Sequence, residues 1–109
     1  PFPAMHRLKS DEIFHFYLGD PVEQVLLYPD GATEIHVIGP DFASGARPVS
    51  IVPQGVWQGA RLAAGGRFAL LGCTGSPRLE FADYERGDGA ALAHQYPAQA
   101  EIIRAVSTG

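Results

Sequence analysis

His6-Arg7-Leu8-Lys9-Ser10-Asp11-Glu12-Ile13-Phe14-His15-Phe16-Tyr17-Leu18-Gly19 is the stretch whose reading decides the fold. It carries four aromatic or histidine rings in a row, Phe14 to Tyr17, and ends on a glycine, so it reads as extended chain stopped by a turn. A strand alternates faces with period two, which puts Glu12, Phe14 and Phe16 on one side and Ile13, His15 and Tyr17 on the other. On the same reading His6 and Leu8 share a face. If the register persists past the bend at Lys9-Ser10, His6 and Glu12 look the same way. A carboxylate between phenylalanines on one face is costly to bury unless it is paired or used. Asp11, next in sequence, points oppositely, which argues against a paired-carboxylate arrangement.

Outward from this stretch, turn signals recur about every ten residues, the rhythm of an antiparallel sandwich or barrel. Gly19-Asp20-Pro21 ends it. Val22–Tyr28 and Ala32–Ile38 flank Pro29-Asp30-Gly31 and read as a hairpin, proline presetting φ and glycine accepting a positive one. Residues 39–48 form the longest loop. Val49–Val52 is a short strand before Pro53-Gln54-Gly55. Val56–Leu62 and Arg67–Thr74 read as a second hairpin around Ala63-Ala64-Gly65-Gly66, and Leu79–Tyr84 as the last strand. The tail then changes character. Asp88 caps a short helix, Pro97 opens a second, and Ile102, Ile103 and Val106 make an apolar stripe with Glu101 and Arg104 outside it. Helices this short must dock on the sheet. The fold expected is a single, mostly-β domain over residues 1–109 with a helical C-terminal segment.

Composition narrows the function. The chain has 109 residues, a net charge of −4 and no block of like charge, so no basic face for nucleic acid is expected. No apolar run approaches the roughly 18–20 residues that span a bilayer, and the opening residues do not resemble a signal peptide. The one cysteine, Cys73, excludes an intrachain disulfide and suits a reducing cytoplasm. It reads as a small buried hydrophobe in preference to a reactive thiol.

Spacing adds a resemblance. Six residues separate Glu12 from Gly19, and His6 stands six before Glu12. This resembles the first signature of the cupin superfamily, His-x-His, three or four residues, Glu, six residues, Gly. Pro53-Gln54-Gly55-Val56-Trp57-Gln58 is similar to the opening of the second, with Gln58 at its histidine position. With Gly72-Cys73-Thr74 and Phe81-Ala82-Asp83-Tyr84, the chain looks like a small bacterial and fungal cupin subfamily of unsettled function, related to the jelly rolls of nucleotide-sugar epimerases. The resemblance implies a cupin double-stranded β-helix. It also implies that opening strands seen in relatives are lacking here, and that the protein forms a homodimer through its sheets.

Departures matter as much. Leu8 replaces a metal-ligating histidine of the pattern, Gln58 another, and Leu62 stands at the asparagine position. No cofactor is therefore expected. A divalent metal, if held at all, would fall to His6, Glu12 and Gln58, and an amide is a poor third ligand for a transition metal.

The expected site is a pocket in which His6, Glu12 and Gln58 form a polar cluster, walled by Phe14, Phe16, Ala60 and Leu62. His6 and Glu12 are its candidate catalytic pair. Three functions fit: binding of a sugar-like or carbohydrate-derived metabolite, which is preferred; a metal-independent isomerase or epimerase with His6 as base; and a metal-dependent oxygenase or lyase. His15 and Tyr17 read as packing or dimer contacts, Trp57 as an aromatic interface anchor, and His36 and His94 as surface or packing histidines. Arg7 and Arg47 are candidates for holding an anionic group, a solvated charge being the simpler reading of Arg47.

Overall fold

The computed structural model describes residues 4–76 and 84–108. Among the described residues, eight strands form two antiparallel sheets. The first five strands are β1 (His6–Leu8), β2 (Asp11–Gly19), β3 (Val22–Leu27), β4 (Thr33–Ile38) and, after a 3₁₀ turn over Phe42–Ser44, β5 (Val49–Val52). They are followed by β6 (Trp57–Leu62), β7 (Ala69–Ser76), β8 (Tyr84–Arg86), α1 (Gly89–Gln95) and α2 (Ala100–Thr108). One sheet runs β4-β3-β6-β1-β8 and the other β5-β2-β7. The expected mostly-β architecture with a helical end is what the chain adopts. The expected last strand begins in residues 79–83, which lie outside the described residues; its end, Tyr84, opens β8.

The β3–β4 hairpin forms as expected, Val22 opposite Ile38 and Leu27 opposite Thr33. The second expected hairpin does not. β6 pairs with β3 and β1, while β7 pairs with β2 in the other sheet. Residues 63–66 therefore carry the chain between sheets. Asp20 supplies the reason: its carboxylate accepts from the backbone N–H groups of Arg67 at 2.7 Å and Phe68 at 3.2 Å, fixing the start of β7 beside the end of β2. Gly19, at φ 111°, allows this approach, because a Cβ there would meet the Phe68 carbonyl oxygen at 2.5 Å.

The two faces of the five-stranded sheet meet different partners. Its outer face carries Val25 and Leu27, which are fully buried under Leu92, Ala93, Tyr96, Ile102, Ile103 and Val106 of the helical segment. α1 is capped by Asp88, whose side chain accepts from Ala90 and Ala91 N–H, and a 3₁₀ turn over Pro97–Gln99 leads into α2. Glu101 and Arg104 are exposed as the stripe predicts. Arg61 ties α2 to the sheet, donating to Glu23 at 2.9 Å and Glu101 at 2.7 Å. Trp57 belongs to this layer. It packs against the helical core, with the Arg7 guanidinium 4.4 Å from its ring centroid, so it is an anchor within the chain and not the interface residue expected. Arg7 also pairs with Glu85, which accounts for its charge.

The inner face opposes the three-stranded sheet. One end of the interlayer is closed by Leu26, Val52 and Val56 with Phe14 and Tyr28. The rest is unusually polar: His6, Glu12, Gln24, His36, Ser50 and Gln58 are all buried.

Candidate functional site

Strand register brings the polar residues together. His6 on β1 lies directly opposite Gln58 on β6, and Gln24 on β3 lies opposite Ala60. From the other sheet, Glu12 and Phe14 on β2 come in, with Cys73 on β7 opposite Phe14. Between the sheets is a cavity of about 380 Å³ whose polar lining residues are His6, Glu12, Gln24, Gln58 and Cys73. Phe14, Val22, Ile38, Ala60, Leu70 and Leu71 are among its apolar ones.

Glu12 is 8% exposed and both carboxylate oxygens are engaged. Gln58 Nε2 donates to Oε1 at 2.8 Å, and Cys73 Sγ donates to Oε2 at 2.7 Å. The acid is thus held by two neutral donors, a small compensation for taking a carboxylate out of water. The thiol responds in turn. Burial first, and then the hydrogen bond and charge of Glu12, push Cys73 up to about 12. It stays a protonated donor and not a nucleophilic thiolate. The expectation of a buried structural hydrophobe is corrected here: Cys73 is exposed at the cavity, with its sulfur turned to the acid.

His6 Nδ1 lies 2.8 Å from the Ala4 carbonyl oxygen. It must donate to that oxygen, so a neutral ring carries its lone pair on Nε2. Asp11 points away, as its register requires, and accepts from Gln54 N–H at 2.9 Å to hold the turn before β6.

Of the seven residues expected in the pocket, His6, Glu12, Phe14, Gln58 and Ala60 line it, and Phe16 and Leu62 do not. Phe16 keeps the register of Glu12 and Phe14, opposite Leu71, and the ladder shifts only beyond it, between Phe16 and Leu18; it is Leu71, not Phe16, that lines the cavity there. Leu62 shares the face of Gln58 and Ala60 and ends β6 opposite Val22, and it is Val22 that lines the cavity at that level. Gln24 and Cys73 also line it and lie outside the expected set. Only the inward alternation of Val22, Gln24 and Leu26 could have found the first.

His36 is a packing histidine, 6% exposed. His94 and Arg47 are exposed, and Arg47 holds no anionic group among the described residues. The metal reading does not fit the donor set. Leu8 stands where a second imidazole would be needed, and the amide that would have to serve as third ligand, Gln58, gives its N–H to Glu12. Among the described residues, no three His, Cys, Asp or Glu side chains gather as a metal would need.

Two packed antiparallel sheets with a polar cluster between them are consistent with the jelly roll of a cupin. The family model that matches residues 1–86 is described as cupin superfamily (DUF985), and the chain belongs to that family. Among solved structures, a protein from Shewanella oneidensis is 32% identical with a TM-score of 0.87, the match covering 97% of this chain and 66% of that one. A hypothetical protein from Leishmania major is 25% identical with a TM-score of 0.85, covering 97% of this chain and 69% of that one. This chain therefore spans just under two thirds of the Shewanella protein. No curated protein matches. No described helix is long and apolar enough to cross a membrane.

Proposed function

We propose that this cupin binds an uncharged, hydroxyl-bearing small molecule of the carbohydrate-derived kind in the cavity between its sheets. The observation that carries the reading is the buried Glu12 carboxylate, held by Gln58 and Cys73 beside an apolar wall. A carboxylate accepts from ligand hydroxyls, and the aliphatic wall suits the C–H face of such a molecule. No Arg or Lys is among the described residues lining the cavity. Glu12 thus faces the cavity with no Arg or Lys opposite it, which disfavours phosphate- or carboxylate-bearing ligands.

Thermal unfolding against neutral sugars and polyols, alongside their phosphates and acids, tests this. Neutral compounds should raise Tm in the wild type and lose the effect in Glu12→Ala, since a ligand of the native state stabilises by mass action. An equal rise in Glu12→Ala sinks the reading.

The fixed tautomer of His6 supports a second reading, proton transfer at a carbon next to a carbonyl with His6 as the base. Exchange of a substrate α-proton in heavy water, abolished by His6→Ala, would support it. No tyrosine is among the described lining residues to serve as the partner acid. For assembly we propose a homodimer through the outer face of the three-stranded sheet. There Tyr17, Val49 and Ile51 are 62%, 42% and 56% exposed, while the equivalent face of the other sheet is roofed by helices. A monomer in sedimentation equilibrium at micromolar concentration would exclude it.

A further inference from the structure

Gln24 is the buried polar group that the cluster around Glu12 does not explain. Only 1% exposed, it lines the cavity from β3. Its Oε1 accepts from Ser50 Oγ at 2.5 Å. Ser50, on β5 of the opposite sheet, is also 1% exposed, and its Oγ lies 2.8 Å from His36 Nδ1. His36 Nε2 is 3.5 Å from Glu34 Oε1, and the Tyr28 hydroxyl donates to that same oxygen. One chain of side chains therefore runs from the cavity, through the interlayer, to a carboxylate that is half in solvent.

A hydroxyl has one proton, so the chain has a direction. When Ser50 donates to Gln24, as here, it must accept from a protonated Nδ1. When Nδ1 has no proton, Ser50 donates to the ring and accepts from Gln24. The amide must then turn end for end, putting Nε2 on Ser50 and Oε1 in the cavity. The two ends of an amide are nearly the same size, so the turn disturbs no packing. A doubly protonated ring donates both ways, to Ser50 and to Glu34. A singly protonated ring keeps its proton on Nε2, because the other tautomer sets a lone pair against the Glu34 carboxylate.

We propose that Gln24 is a ligand-reading residue of the cavity and that His36 is its positioning residue, the ring's second proton deciding whether the amide offers N–H or C=O to the bound molecule. With that proton the cavity reads a carbonyl or ether oxygen; without it, a hydroxyl or amine. The proposal rests on the cavity reading for its ligand, while the reversal belongs to the chain itself. The groups facing His36 are known from each side. Glu34, on its own strand, favours the second proton, and Tyr28 acts through Glu34. Burial, and then Arg47 from the loop before β5, oppose it and hold His36 below its ordinary value. Ser50 and Gln24 are neutral. The C=O form thus prevails at neutral pH and the N–H form enters on acidification.

The test needs no ligand. In ¹⁵N-labelled full chain titrated from about pH 8 to pH 4.5, the Gln24 side-chain amide resonances should move with the midpoint of the His36 ring. In Ser50→Ala the ring should still titrate while Gln24 no longer follows it. Gln24 resonances that stay still while His36 titrates overturn the proposal, as does a ring that never titrates in this range. Tracking that persists in Ser50→Ala also overturns it, since the ring would then act through space. The wild-type titration decides even if Ser50→Ala does not fold. None of these outcomes touches the Glu12-dependent rise in Tm, so the two readings fail separately.

Discussion

Gln58 Nε2 and Glu12 Oε1 lie 2.8 Å apart and join the two sheets, one residue from β6 and the other from β2. The bond spans an interlayer whose opposite end is filled by Leu26, Val52 and Val56. It is part of the fold and part of the candidate site at once. Gln58→Leu removes a donor and leaves a buried acceptor. The expected loss is about 1–3 kcal/mol in urea denaturation, and an unchanged midpoint would show that the acid needs no partner there.

Cys73 should be slow to alkylate despite its exposure. Its thiol is raised to about 12, so the reactive thiolate is scarce at pH 8. Glu12→Ala removes both the acceptor and the charge. Iodoacetamide labelling at pH 8 should then quicken by about tenfold or more, burial retaining the remainder of the shift. Equal rates in the two proteins would mean that the acid does not govern the sulfur.

His36 predicts how stability varies with acid. Its folded value lies below the unfolded one, chiefly through burial, so below the unfolded value the unfolded chain takes up the proton more readily. Stability is full above the ordinary histidine value of 6.5 and declines as pH falls from there toward the folded value. His36→Gln should flatten the urea midpoint over that window. A midpoint in the wild type that rises on acidification through it contradicts the sign.

Gly59 marks how closely α2 sits on β6. A Cβ there would lie 2.6 Å from Met5 Sδ and 2.8 Å from Val106 Cγ2. Met5 can bend away, but the branched Val106 is stiff at χ1. Gly59→Ala should cost about 1–3 kcal/mol in thermal or urea unfolding, and the shortened Val106→Ala should recover part of it. Additive losses would mean that the two residues do not meet.

Much of the fold was legible because local patterns were consistent with it. The stripe of Ile102, Ile103 and Val106, the Asp88 cap and the β3–β4 hairpin all follow from period, capping and turn chemistry. The inward aim of Glu12 and Phe14 follows from alternation, whereas Phe16, in the same register, lies outside the cavity because alternation gives a face and not the extent of the hollow behind it. Residues 63–66 read as a hairpin turn, since Gly65 and Gly66 permit one. What sends β7 to the other sheet is the Asp20 carboxylate, more than forty residues earlier in the chain.

By itself, then, the sequence determined the strand-then-helix order and the placing of His6, Glu12 and Gln58 on one kind of face, because periodicity and turn residues act over a few neighbours. Only the tertiary structure decided that Cys73 bonds Glu12 and that Gln24, Ser50 and His36 make one buried chain. Such contacts join different sheets. Which polar side chains meet there depends on how two surfaces stack, a relation that no local pattern encodes.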